Sequence, residues 1–216
     1  MEVIVMGKKQ ELREELLKQR AAMDPADVAA HSAAVAKRVF EFRHFQDAQT
    51  VMVYADFRNE VQTGEIIAAA MDAGKRVGLP LVDREQKRLT VLQITNLPGD
   101  LQVGAYGIPE PNPALPVIDV KEIDLILVPG VGYDLDGYRL GFGGGYYDRF
   151  LRGIRRRAVK AGLAYDFQVQ ETVHPDSHDR GVNYIITESR TLKVPRRNIT
   201  MPILFRSGGK RLSLRK

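Results

Sequence analysis

The feature that most narrows what this chain can fold into is an alternation, repeated along most of its 216 residues, of amphipathic stretches with short apolar runs. KKQELREELLKQRAA (Lys8 to Ala22) and the stretch from Asp24 to Phe42 carry apolar residues at helical spacing. The second opens with Asp24 as N-cap and Pro25 at the first helical position, and sets Val28, Val35, Val39 and Phe42 along one face. TVMVYA then reads as a buried strand, Thr63 as the cap of the helical GEIIAAAMDAG, and RVGLPLV and LTVLQI as further strands. The proline- and glycine-rich segment from Leu97 to Lys121 predicts a long ordered or functional loop rather than an element. After it comes DLILVPG, the clearest buried strand, and then a glycine run leading into a helix over Tyr146 to Arg156; VKAGLAY and NYIITE complete the strands. This order predicts a three-layer α/β fold with a largely parallel central sheet and helices on both faces. We find no internal repeat and divide the chain into an N-terminal extension (1–7), a single α/β domain (8–190) and a basic C-terminal tail (191–216).

Composition excludes several classes. No apolar run approaches the roughly 20 residues of a spanning helix, so no membrane association is expected. The absence of cysteine removes disulfides, thiolate metal sites and cysteine nucleophiles, and fits a cytoplasmic location. The net charge of +5 is local: Lys193 to Lys216 holds eight Lys or Arg and no acidic residue, leaving 24 basic against 27 acidic residues elsewhere. A tail such as RSGGKRLSLRK has little aromatic interleaving to stack bases, so nucleic acid is not the expected partner.

In open sheets of this kind ligands sit beyond the carboxyl ends of strands. Glu60 follows TVMVYA; PGVGYDLDGYRLGFGGGYYD follows DLILV; Asp166, Gln168, His174, His178 and Asp179 follow VKAGLAY. Within RLGFGGGYYDRF (Arg139 to Phe150), bare glycines let backbone N–H groups approach an anion, and the helix that follows adds a favourable dipole. That is a phosphate cradle in principle, though no Gly-Lys-Ser/Thr follows and the dinucleotide fingerprint fits poorly. A glycine-rich hairpin needing only positive φ reads equally well. Arg139 could pair with phosphate oxygens and Asp148 could hold magnesium, or Asp148 could complement the helix N-terminus with Arg152 as its i+4 partner. His178-Asp179 is either a metal or acid–base position or an ordinary turn, and His174 before Pro175 reads as structural. Lys9 and Arg13, four apart, form a solvated helix face or a basic rim for a polyanion.

Together the residues resemble the 5-formyltetrahydrofolate cyclo-ligase (methenyltetrahydrofolate synthetase) family. LILVPGVGYDLDGYRLGFGGGYYDRFL is similar to its signature of a strand, Pro-Gly, an Asp-x-x-Gly turn, Arg-Leu-Gly, a glycine loop and Gly-Tyr-Tyr-Asp. KQELREEL, NEVQT, GIPEP, HPDSHD and NYIITE resemble its other blocks in order, so the likeness covers nearly all of residues 8 to 190. It implies a CoA transferase-like α/β fold, a catalytic role for the 8–190 domain, and small-molecule partners bound by a monomer or weak dimer. The implied reaction is ATP- and Mg2+-dependent closure of 5-formyltetrahydrofolate to 5,10-methenyltetrahydrofolate. The formyl oxygen is phosphorylated, and ADP and phosphate are released. Carried over by position, Lys9, Arg13 and Arg139 are the catalytic cations. ATP would meet them together with Leu140, Gly141, Phe142, Gly143, Gly144, Gly145, Tyr146 and Tyr147. Arg13, Ala55, Glu60, Phe142 and Tyr146 would contact folate, and Asp148 and Asp179 would hold the metal. Asn183 stands where relatives are often acidic, and Phe142 and Gly144 where some carry basic residues. A folate- or nucleotide-binding module without turnover is the alternative.

Overall fold

A computed structural model describes residues 2–104 and 109–195; the expected tail beyond residue 195 and the start of the GIPEP block lie outside the described residues. Helix α1 (Glu2–Ala21) begins before the expected Lys8, since nothing in the preceding segment stops a helix except Gly7, which costs only about 1 kcal/mol relative to alanine. Helix α2 (Pro25–Glu41) starts as its sequence predicts, with the Asp24 side chain accepting from the Ala26 N–H at 2.8 Å. A short helix α3 (Arg43–Asp47) leads into strand β1 (Thr50–Met52). Thr63 sits at the N-cap position of α4 (Gly64–Asp72) but makes no side-chain cap, contrary to expectation. Its buried hydroxyl donates instead to the Tyr54 carbonyl at 2.7 Å, tying the start of α4 to the segment that leaves β1.

Strands β2 (Arg76–Asp83) and β3 (Arg88–Ile94) form an antiparallel hairpin. Within the expected loop, β4 (Leu101–Val103) and β5 (Pro109–Pro111) make a small ribbon of their own, so that segment is more ordered than its proline content suggests. Strand β6 (Leu125–Val128) is followed by β7 (Gly132–Asp134) and β8 (Arg139–Leu140), which turn the signature segment into a second hairpin. Helix α5 (Tyr146–Gly153) ends at a glycine, three residues short of the expected Arg156. Then come β9 (Val159–Leu163), a single 3₁₀ turn (Asp166–Gln168), β10 (Val169–Gln170), β11 (Tyr184–Ile186) and β12 (Thr191–Lys193).

The main sheet has the order β12-β11-β9-β6-β1-β2-β3, with its five inner strands parallel and antiparallel strands at both edges. This is the expected three-layer arrangement. Side-chain alternation divides the core between its faces. Val51, Val77, Leu125, Leu127 and Leu163 pack with Val35 and Val39 of α2 and Ile66 and Ile67 of α4. Met52, Ile126, Val128 and Ile185 pack with Phe150 and Leu151 of α5. A three-stranded sheet, β10-β7-β8, stands beyond the carboxyl end of β6. Helix α1 is seated on it by Leu16, which packs with Val131, Leu140 and Val173. No described helix is long and apolar enough to cross a membrane.

Candidate active site

From β1 the chain moves through α4 to β2 on one side, whereas β6, β9 and β11 follow on the other. The loops leaving β1 and β6 therefore diverge, which opens a crevice at the topological switch point of the sheet. A cavity of about 840 Å³ occupies this region. That falls within the roughly 300–1,000 Å³ usual for ligand sites. All of the site residues expected from sequence line it except Leu140: Lys9 and Arg13 from α1, Ala55 and Glu60 after β1, and Arg139 through Asp148 otherwise, with Asp179. Leu140 is fully buried against Leu16, Val131 and Val173. Neighbouring strand residues face opposite ways, so the arginine of this two-residue strand reaches the cavity and the leucine reaches the core.

The glycine loop is constrained from both ends. Gly143 and Gly145 have φ of +99° and +65°, which side-chain-bearing residues rarely adopt, and Gly145 is the N-cap of α5. A Cβ at Gly141 would lie 2.6 Å from Arg139 Nη1, so a side chain there would push the Arg139 guanidinium from its place beside Asp148. Arg13 Nε donates to the Gly141 carbonyl at 2.8 Å and Arg149 Nη2 to the Gly144 carbonyl at 2.6 Å. With two carbonyl oxygens held on guanidinium groups, the loop presents less negative potential to an approaching anion.

Charged groups on this side are paired among themselves. Arg139 Nη2 lies 3.0 Å from Asp148 Oδ2, and Arg180 N–H donates to Asp148 Oδ1 at 3.1 Å. Lys9 Nζ bridges Asp176 Oδ2 at 2.7 Å and Asp179 Oδ2 at 2.6 Å. Burial would lower the Lys9 pKa, but the two carboxylates outweigh it and hold the ammonium above its ordinary value. The hydrogen bond from Lys9 likewise holds Asp176 below the usual carboxylate range. Asp176, His178 and Asp179 could bring three donor atoms to one metal ion. Asn183 belongs elsewhere, accepting from the Lys160 N–H at 3.0 Å.

Glu60 is different. It is almost fully buried, and burial raises its pKa to about 7 despite the opposing charge of Arg20 and the Phe57 N–H that donates to it at 3.2 Å. Arg20 was not among the expected site residues. It is 1% exposed, its Nη1 lies 3.7 Å from Glu60 Oε1, and its guanidinium sits 5.5 Å from the centre of the Phe142 ring. A signal was present: Lys9, Arg13, Leu16 and Arg20 recur at i, i+4, i+7 and i+11, one face of a helix. Also outside the expected set are Leu79, Val82, Leu89, Pro109 and Pro111, an apolar wall suited to a flat ring. Three buried polar atoms at the site have no hydrogen-bond partner: Arg20 Nη2, Arg139 Nε and the Tyr147 hydroxyl. Burial holds the Tyr147 phenol well above its ordinary pKa, so that group is a neutral O–H.

The profile of the 5-formyltetrahydrofolate cyclo-ligase family matches residues 5–188. The chain belongs to that family. It is 28% identical over 199 residues to the mouse 5-formyltetrahydrofolate cyclo-ligase, an alignment covering 86% of this chain and 96% of the relative. The solution structure of the Aquifex aeolicus 5,10-methenyltetrahydrofolate synthetase superposes with a TM-score of 0.76 at 30% identity, covering 95% of this chain and 96% of that one. The Mycoplasma pneumoniae synthetase gives 0.69 at 25% identity, covering 83% and 98%. The likeness thus extends over the parallel core and the segments that line the cavity.

Proposed function

We propose that the chain catalyses the ATP-dependent cyclisation of 5-formyltetrahydrofolate to 5,10-methenyltetrahydrofolate, with ADP and phosphate released. One observation carries this reading. A single cavity gathers Glu60, an apolar wall, a glycine loop and the cations Lys9, Arg13 and Arg139 from segments far apart in sequence. A module that bound folate alone would need no such concentration of cations beside the carboxylate.

The chemical difficulty is that a formamide oxygen leaves poorly. In the proposed sequence that oxygen attacks the γ-phosphorus and ADP departs. The neighbouring folate nitrogen then adds to the activated formyl carbon, loses its proton, and phosphate leaves with the former formyl oxygen. The protein aligns the two substrates and offsets charge on the transferred group, and needs little covalent chemistry. Ionised Glu60 accepts the adjacent N–H donors of the pterin ring, which lies against Leu79, Val82 and Leu89. The unpartnered Arg139 Nε and Tyr147 O–H are donors held ready for phosphate oxygens, with α5 adding its N-terminal dipole. Lys9 and Arg13 complete the cationic rim.

The donor set also fits magnesium, which takes hard oxygen ligands and keeps several waters. Asp148 and Asp179 would hold it, with Asp176 beside them, and the ion would supply positive charge to the phosphates. The imidazole of His178 is the least suited donor of the group.

The test is direct. Incubated with ATP, magnesium and 5-formyltetrahydrofolate, the protein should generate the near-ultraviolet absorbance of the methenyl product. Folate binding without product at any substrate level would leave the binding module as the better account.

A further inference from the structure

Arg20 is a buried charge without adequate pairing. Such residues are almost never fully buried unless paired, because a desolvated cation with unused donors is costly. Yet its nearest carboxylate oxygen is 3.7 Å away, its contact with the Gly130 carbonyl is 3.4 Å, and Nη2 has no partner. Its main-chain carbonyl is held by Asn59 Nδ2 at 3.1 Å, one residue from Glu60, so α1 and the Glu60 loop are fixed to each other. Arg20 does not itself line the cavity. It stands behind Glu60, touching the pocket only through that carboxylate and the Phe142 ring of the glycine loop.

We propose that Arg20 is the positioning residue for Glu60, pairing with that carboxylate and aiming it at the folate ring while joining it to the phosphate loop through Phe142. The proposal deepens the functional reading above and rests on it. Other groups near Glu60 do not duplicate the role. Tyr54, Tyr133 and Tyr147 are buried phenols whose pKa values burial pushes up, so they stay neutral over the working range. Asp56 is a like charge that raises the Glu60 pKa, and Arg58 is exposed to solvent. Arg20 is therefore the buried cation among the described residues that opposes the effect of burial on Glu60.

Glu60 titrates near 7 with Arg20 in place, and its charged form is the one that accepts pterin N–H donors. Removing the cation raises that midpoint, so folate binding fails at a higher pH and recovers under alkaline conditions. In Arg20→Met the KM for 5-formyltetrahydrofolate should rise about fivefold at pH 7, the change produced by a one-unit shift of a midpoint that starts near 7. Most of that loss should be regained near pH 9, while the KM for ATP changes less than about twofold. Arg20→Lys should restore the folate KM, and Arg20→Gln should behave like Arg20→Met and serves if the methionine variant does not fold. A carboxyl carbon NMR titration of Glu60 in the substrate-free protein reads the same effect whether or not the chain turns over folate, so the two readings fail separately. An unmoved Glu60 midpoint, or a kcat loss with no pH-dependent change in folate KM, overturns the proposal.

Discussion

The two halves of the cavity handle charge in opposite ways. On the phosphate side the cations already have partners: Arg139 with Asp148 at 3.0 Å and Lys9 with Asp179 at 2.6 Å. On the folate side Glu60 and Arg20 face each other across 3.7 Å, both nearly sealed from solvent, with an Arg20 nitrogen left unpartnered. In the first half the charges are paired, so an incoming anion meets ion pairs to displace as well as the free Arg139 Nε and Tyr147 O–H donors. The second is under-satisfied, and a ligand bringing N–H donors supplies what Glu60 lacks. On the proposed reading, polyphosphate binding is chiefly an exchange of charge partners, whereas pterin binding adds donors to a buried carboxylate whose cation is 3.7 Å away.

The largest expected effect comes from breaking the self-neutralised half. Asp148→Asn keeps the size of the side chain but removes the charge that pairs Arg139 and that would hold the metal. Turnover should fall by about 10³-fold or more, the scale seen when a preorganised electrostatic group at a transferring phosphoryl is lost. Single-turnover kinetics should place that loss in the chemical step, with folate affinity little changed. Retention of near-normal kcat would mean that the Arg139–Asp148 pair is only structural.

A smaller and more selective effect is expected at the rim. Lys9→Met leaves Asp176 and Asp179 without their shared cation and removes the proposed phosphate contact, so the KM for ATP should rise about tenfold or more while the KM for folate moves little. Initial-rate measurements varying each substrate separate the two. An equal rise in both constants would erase the distinction between the halves.

Sequence and structure agree best where the information is local. The glycine loop, its flanking Arg139 and Asp148, and the strand before it are contiguous, so spacing alone brings them to one place. The same contiguity misleads at Leu140, because a two-residue strand sends adjacent side chains to opposite faces. The Leu79, Val82 and Leu89 wall is invisible for another reason: in a strand, an apolar residue that faces core and one that faces a pocket look alike. The ribbon β4–β5 was hidden by its prolines, which suit an edge pair but read as loop. Arg20 lay in plain view on the Lys9–Arg13 face, but a cation at the end of an amphipathic helix ordinarily reads as solvated. Only the seating of α1 by Leu16 shows that this face is turned inward along its length.

The folate half can also be tested through stability, independently of any ligand. The Glu60 pKa is raised on folding from about 4.5 to about 7. Between those values the folded protein holds a proton that the unfolded chain has released, so this group's contribution to stability is fully present below about pH 4.5 and is lost as pH rises to about 7. A shift of that size corresponds to about 3 kcal/mol. Glu60→Gln removes the titration while leaving Arg20 buried, so its absolute stability reflects two opposing changes, but its slope with pH does not. Denaturant unfolding should therefore show the wild type losing about 3 kcal/mol relative to the variant as pH rises from 4.5 to 7. Parallel profiles would show that Glu60 is as well solvated or as well paired as the phosphate-side carboxylates, and the contrast between the two halves would be lost.

The smallest effect should come from outside both halves. Among the described residues the cavity lining ends at Asp179 and the family match ends at residue 188, while the excess positive charge of the chain lies in its C-terminal stretch. Removing residues 196–216 should leave kcat and both KM values within about twofold of wild type, since the family match ends before them. A selective rise in the KM for ATP that grows as ionic strength is lowered would instead show that the tail's positive charge reaches the phosphate half. The self-neutralised pairs would then be only part of what draws the nucleotide in.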